Sequence, residues 1–352
     1  MTRRPSPWVA LAGLALVLAG CATKPSYTEP AYTLAPAPRV VLDRVSVDRD
    51  VQDRILALNP ERITDDDVRM TLAKGPTPRI VNIHGGIYPV HLVMESFSRF
   101  LMRMGYPETK IRDPRTGELS QSPYLSSQAT AGEIAWYYER EGVRPMLVGH
   151  SQGGMQAVKI LFELAGKFDE SVPVTNPLTG EKEARTTIVD PLTGRERPVV
   201  GLVLPYTSAV GAGGAATLLP NQWNMATRLH SIPDSVEDFT GFTIGFDLIA
   251  WDFGSTNLYK ANGTATVRNV SLPSDYSHVF VPNTAHLGRE PKVREWINAY
   301  TPAMTANLPP LPEGDTTNIL WAADVWYSIK KHWCLEAQKL VRAQRAGAPA
   351  AH

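Results

Sequence analysis

The chain has 352 residues, and its 35 basic and 35 acidic side chains give a formal net charge of zero. This balance argues against electrostatic binding to nucleic acid or to a membrane surface, and we expect no nucleic-acid partner. The length suffices for one large α/β core with insertions.

The amino terminus has the pattern of an export signal. Two arginines precede the apolar residues 8–18, a stretch too short to span a bilayer, so residues 1–20 are predicted to be a signal peptide. Its end, Leu-Ala-Gly-Cys, resembles the bacterial lipoprotein signal, which implies cleavage before Cys21 and lipid attachment to its sulfur. An ordinary secretory signal with an incidental cysteine is the alternative. Ala22 after the cysteine implies, by the same resemblance, the outer membrane of the bacterial cell envelope.

The next segment is a linker by composition. Residues 22–38 are rich in Pro, Ala, Thr and Tyr and have no helical or strand periodicity, so 21–38 is predicted to be a lipid anchor with a flexible tether. Residues 39–345 are predicted to form a single domain. With Cys21 assigned to lipid, Cys334 has no partner for a disulfide and is expected to be a buried apolar side chain.

Strand and helix patterns alternate through this domain. Short apolar runs at 40–42, 79–83 and 145–148 alternate with amphipathic patterns after residue 87 and at 129–140. Such alternation is typical of an α/β fold with a mainly parallel, doubly wound sheet covered by helices on both faces.

The first strand with a chemical signature ends in His-Gly-Gly at residues 84–86. Glycines at this position let the main chain itself approach a ligand. His84 and His91 lie seven residues apart without a carboxylate or cysteine at ligand spacing. We therefore expect a structural histidine here and no metal site.

The most informative segment is Gly-His-Ser-Gln-Gly-Gly at residues 149–154, between an apolar strand and a helical pattern. A strand, a sharp turn that carries one serine and then a helix form the context in which G-x-S-x-G places a nucleophile. A helix N-cap is the alternative role for Ser151. The segment resembles the nucleophile elbow of the α/β-hydrolase family, which includes serine esterases and lipases.

This resemblance implies the remaining parts of a catalytic site. The backbone N–H groups of Gly86 and Gln152 would form the oxyanion hole, and the triad would follow the chain order Ser, acid, His. No cofactor is expected.

Two segments depart from a minimal fold of this type. Paired Pro-x-x-Gly turns within 175–198 predict a hairpin insertion, and 211–240 falls where the family often inserts a small helical cap. The Gly-rich run at 211–216 formally matches a dinucleotide motif, but the acid that such a site needs is absent at the required spacing.

The acid and the base must come from loops after later strands. An apolar run ending at Trp251 makes Asp252 the predicted acid, with Asp247 as the alternative if the strand ends earlier. An apolar run at 278–282 predicts the last strand, which makes His286 the base in the following loop. His278, at the start of that run, is interpreted as a strand-edge residue.

These residues predict a serine hydrolase that cleaves small-molecule carboxylic esters through an acyl-enzyme on Ser151 and contacts the membrane through the anchor at Cys21. An acyltransferase or amidase with the same triad is a second possibility. A non-catalytic envelope lipoprotein that uses the fold as a scaffold is the third. A closing amphipathic helix is predicted at 317–343.

Overall fold

A computed structural model describes residues 47–214, 217, 220–244, 247, 249–250 and 258–347. The predicted signal peptide, the tether and Cys21 lie outside these ranges. The described residues all belong to one compact unit. None of the helices in these ranges is both long and apolar enough to cross a membrane.

The described strands are, in chain order, β1 (Ile80–Ile83), β2 (Met146–His150), β3 (Thr187–Val189), β4 (Glu196–Pro198), β5 (Leu204–Val210), β6 (Ser231–Ile232), β7 (Val236–Ile244), β8 (Lys260–Ala261) and β9 (Thr266–Leu272). The described α-helices are α1 (Arg49–Ala57), α2 (Asp65–Met70), α3 (Tyr88–Arg103), α4 (Ser127–Glu141), α5 (Gln152–Leu164), α6 (Pro291–Ala299) and α7 (Ile319–Arg345).

A parallel sheet of five strands forms the centre, in the order β1-β2-β5-β7-β9. Each successive strand is added on the same side of the sheet. Because all five strands are parallel, their carboxyl ends lie at one edge. The expected α/β class with a mainly parallel sheet is confirmed. Side chains that follow strands at this edge can meet even when they are far apart in sequence.

Helices cover both faces of the sheet. On one face, α1, α3, α6 and α7 share an apolar cluster with Met146, Val148 and Phe242. On the other face α5 packs closely, since a Cβ added at Gly154 would lie 3.2 Å from the Cβ of Ala209. Because both faces of the sheet are covered, every residue of β1 and β2 is buried, which explains their mainly apolar sequences.

Local sequence signals set the helix ends. The hydroxyl of Ser126 caps α4 by accepting a hydrogen bond from the N–H of Ala129, and Gly142 ends the helix with a left-handed φ of 74°. The helices predicted at 129–140 and 317–343 are confirmed as α4 and α7, with ends shifted by about two residues. Cys334 on α7 is fully buried, as expected, and burial raises the pKa of its thiol to about 12.

The structure describes residues in both segments where additions to the fold were predicted. An antiparallel β3–β4 hairpin lies within 175–198. The described residues of 211–240 contain no α-helix; they include a 3-10 helix at Pro220–Met225, the short strand β6 and the first residues of β7. The last part of the predicted cap therefore belongs to the central sheet.

Candidate active site

Ser151 occupies a strained turn between β2 and α5. Its φ of 56° and ψ of −124° lie where residues with a side chain seldom occur. Its N–H donates a 2.8 Å hydrogen bond to the carbonyl of Val210, which fixes the turn at the carboxyl edge of the sheet. Backbone strain that the surrounding structure maintains is typical of functional positions.

The motif glycines are required by close backbone approach. A Cβ at Gly149 would lie 2.4 Å from the carbonyl oxygen of Gly153, and a Cβ at Gly153 would lie 2.2 Å from the carbonyl oxygen of Ile83. Both distances are far inside van der Waals contact, so no larger residue fits without moving the backbone. The turn has the tight geometry that the sequence motif predicts.

His278 contacts the serine. Its Nε2 accepts a 2.9 Å hydrogen bond from the hydroxyl of Ser151. Its Nδ1–H donates a 2.5 Å hydrogen bond to Oδ2 of Asp247. His278 and Asp247 are both buried, whereas Ser151 is partly exposed. The three side chains form one hydrogen-bonded chain that ends at an accessible hydroxyl.

The loop after β7 holds Asp247 as a carboxylate. Its Oδ1 accepts hydrogen bonds from the N–H groups of Ile249 and Ala250, both at 3.0 Å. Burial opposes ionisation, but the hydrogen bond and charge of His278 together with these two N–H donors outweigh it, so the pKa of Asp247 is lowered.

The structure contradicts the expected base. His286 lies in a 3-10 helix at Ala285–Gly288, and its Nε2 is 3.5 Å from Oδ1 of Asp315 rather than next to Ser151. The segment 278–282 is a turn, not the last strand. The last strand that the structure describes is β9, whose β-branched Thr266, Val267 and Val270 were the available sequence signal, and His278 is in the loop that follows it.

The carboxylate that contacts His278 also comes earlier in the sequence than the predicted acid, Asp252. β7 ends at Ile244, so Asp247 occupies the loop directly after the strand, and the alternative assignment is the one that contacts the histidine. Asp252 lies outside the described residues. A strand end misplaced by a few residues accounts for the difference.

Gly86 and Gln152 lie next to each other beside the serine. A Cβ at Gly86 would lie 2.1 Å from Oε1 of Gln152, and a Cβ at Gly85 would lie 3.1 Å from the Cβ of Ser151. Gln152 is the first residue of α5, where a backbone N–H has no acceptor within the helix. The expected oxyanion-hole residues therefore border Ser151 together.

Two further residues support His278, and sequence reasoning gave neither a role. Nε2–H of the fully buried His150 donates to the carbonyl of His278 at 2.7 Å. Burial lowers the pKa of His150 to about 3, helped by repulsion from His278, so the ring is neutral. Gly211 has a φ of 60°, and a Cβ there would lie 2.8 Å from Cε1 of His278. The glycine run that resembled a dinucleotide motif therefore packs against the histidine.

His84 is held locally. Its Nδ1 bonds the carbonyl of Gly85 at 2.6 Å, and its ring lies 4.8 Å from that of His91. Burial lowers the pKa of His84 to about 4. Within the described ranges, no group of three or more His, Cys, Asp or Glu side chains could hold a metal ion.

A serine hydroxyl hydrogen-bonded to an imidazole that is itself oriented by a carboxylate can be deprotonated as it attacks an acyl carbon. Comparisons of the chain with known protein families, curated proteins and solved structures give no match.

Proposed function

We propose that this protein is a serine hydrolase that cleaves carboxylic esters through an acyl-enzyme on Ser151. The observation that supports this most strongly is the hydrogen-bonded chain Asp247–His278–Ser151. The order of these residues along the chain, each after a parallel strand of one sheet, also supports membership of the α/β-hydrolase family.

The mechanism follows from the contacts. His278 Nε2 takes the proton of Ser151 as Oγ attacks the ester carbonyl, and Asp247 stabilises the imidazolium that forms. The N–H groups of Gly86 and Gln152 stabilise the oxyanion. The imidazolium then protonates the leaving alkoxide. Water attacks the acyl-enzyme with His278 again as base, which releases the carboxylic acid and restores the serine.

Labelling with a fluorophosphonate probe tests the proposal. The native protein is expected to form a covalent adduct and to hydrolyse a soluble ester. Ser151→Ala is expected to abolish labelling and lower turnover by about 10⁴-fold or more, with almost no change in melting temperature. Ser328→Ala, which removes a hydroxyl from α7, serves as the control and should label normally. Wild-type turnover in Ser151→Ala would refute the proposal.

We further propose that lipid on Cys21 anchors the enzyme in the bacterial outer membrane. Metabolic labelling with an alkyne-bearing palmitate should tag the native chain and not Cys21→Ala. Cell fractionation of the two forms tests the membrane assignment.

A further inference from the structure

Large apolar side chains are exposed in segments that follow β1, β5, β7 and β9 at the carboxyl edge of the sheet, the edge that carries Ser151. Six of them, each between 49% and 71% exposed, form what we term the apolar rim: Tyr88, Leu92, Tyr124, Trp223, Ile249 and Phe280. Exposed apolar residues are unremarkable singly, but a group that borders one site indicates a binding surface.

Three residues of the rim are linked to the site, two by hydrogen bonds and one by its position in the sequence. The Tyr124 hydroxyl donates to the carbonyl of Gly86 at 2.9 Å. The N–H of Ile249 donates to Asp247, and Phe280 follows His278 by two residues. Any surface that docks on the rim is therefore brought next to Ser151.

Four ranges in the segments that contain the rim residues have no charged side chains. Residues 84–94, 119–132, 211–227 and 276–288 contain no Lys, Arg, Asp or Glu. Between 245 and 251 the single charged residue is Asp247, which is buried against His278. Docking of these ranges on an apolar phase therefore dehydrates no formal charge within them, and they offer no lysine or arginine to an anionic headgroup.

We propose that the apolar rim docks on a neutral lipid surface and admits an uncharged, long-chain ester from it to Ser151. This inference rests on the proposed function, because it names the substrate class of the same site. It distinguishes a lipase from an esterase that acts on dissolved substrates.

The test uses the full chain with Cys21→Ala, so that an acyl anchor cannot supply membrane binding. Turnover of dissolved p-nitrophenyl acetate is compared with turnover of dioleoylglycerol in phosphatidylcholine vesicles. The rim variant is Tyr88→Ser/Leu92→Ser/Trp223→Ser. The matched control is Met70→Ser/Leu308→Ser/Leu311→Ser, which removes exposed apolar side chains elsewhere.

The ratio of vesicle to dissolved-ester turnover should fall about tenfold or more in the rim variant and stay within about twofold in the control. Replacing a third of the phosphatidylcholine by phosphatidylglycerol should give no increase. An unchanged ratio in the rim variant, or an equal fall in the control, would overturn the docking inference while dissolved-ester turnover upheld the hydrolase. Absence of both activities in the parent chain would instead refute the proposed function.

A different contact supports a second inference. The end of β2 and the turn after it hold His278 at two points, since the Oγ of Ser151 bonds its ring and Nε2–H of His150 bonds its backbone carbonyl. The two imidazole rings are 5.4 Å apart, and His150 is fully buried. We infer that His150 is a positioning residue that fixes the His278 loop for proton transfer.

Substitution separates positioning from bulk packing. His150→Leu should lower kcat by about thirtyfold with KM within about twofold, because the His278 carbonyl loses its donor and the ring loses alignment. His150→Gln, which retains a donor, should recover most of kcat. The ¹H NMR signal of the His278 Nδ1 proton should broaden or shift in the leucine variant. Unchanged kcat per folded molecule in His150→Leu, with only a lower melting temperature, would overturn the inference.

Discussion

The two ends of the central sheet differ in how they use charge. At the carboxyl end, ranges without Lys, Arg, Asp or Glu, such as 84–94 and 276–288, adjoin a short chain of polar groups that ends at Ser151. At the amino end, charged side chains pair across elements: Arg79 with Glu141 before β1, Arg144 with Glu336 and Glu237 before β2, and Arg268 with Asp324 from β9. One end contains the strained and reactive groups, and the other contains pairs that join the sheet to its helices.

The amino-end pairs are structural by their geometry. Arg144 donates from Nε and Nη2 to the buried carboxylate of Glu336 at 2.9 and 2.6 Å, and from Nη2 to Glu237 at 2.9 Å. Burial opposes ionisation of Glu336, but the hydrogen bonds and charge of Arg144 keep its pKa lowered. These groups satisfy each other, whereas the Ser151 hydroxyl is partly open to a substrate.

The comparison implies that histidines at the carboxyl end are not equivalent. His278→Ala should lower turnover of a dissolved ester by about 10⁴-fold, because the serine loses its base. His286→Ala should stay within about threefold, since that ring faces Asp315. Steady-state kinetics at matched folded fraction measure both. The reverse ranking would return the base to His286 and refute the triad described here.

Loss of the acid should have the next largest effect. Asp247→Asn should lower turnover by about 10³-fold, because an amide cannot stabilise the imidazolium and favours the wrong tautomer of His278. Asp315→Asn is the matched control at the other histidine and should change the rate less than twofold. A mild effect of Asp247→Asn would contradict the assignment of the acid.

At the amino end, stability should change while chemistry does not. Arg144→Met leaves Glu336 buried with only part of its pairing and should lower the free energy of unfolding by about 3 kcal/mol. Turnover per folded molecule should remain within twofold. Denaturant unfolding and ester kinetics test the two halves separately. Arg144→Met/Glu336→Met should regain part of the loss, and a tenfold fall in kcat would show that the two ends are coupled.

The smallest predicted effect is a pH dependence at the carboxyl end. Burial lowers the pKa of His150 from 6.5 to about 3. Between these values the unfolded chain binds a proton that the folded chain does not, so stability falls as pH decreases through this window. His150 should contribute a loss of about 1 kcal/mol between pH 6 and pH 5. Unfolding curves of wild type and His150→Gln measure this, and equal slopes would contradict a neutral, buried His150.

The position of Ser151 in a tight turn between a strand and a helix was predictable because its signal is local. The strand, the glycines and the helix around Ser151 are contiguous in sequence, and the elbow needs Gly149 and Gly153 for steric reasons that hold in any such turn. The α/β class followed similarly, from the alternation of strand and helix patterns. The hairpin at β3–β4 lies within the range that its turn residues predicted.

Only the tertiary structure shows which aspartate and which histidine join Ser151 in the proposed triad. Their identity depends on the residue at which β7 and β9 stop pairing, and a separate apolar run follows each of these strands: Leu248 to Trp251 after β7 and Val279 to Val281 after β9. Hydrophobic periodicity cannot distinguish a strand from an apolar loop of the same composition. Long-range pairing ends the strands at Ile244 and Leu272, and so places Asp247 and His278 beside a serine that the sequence alone had located.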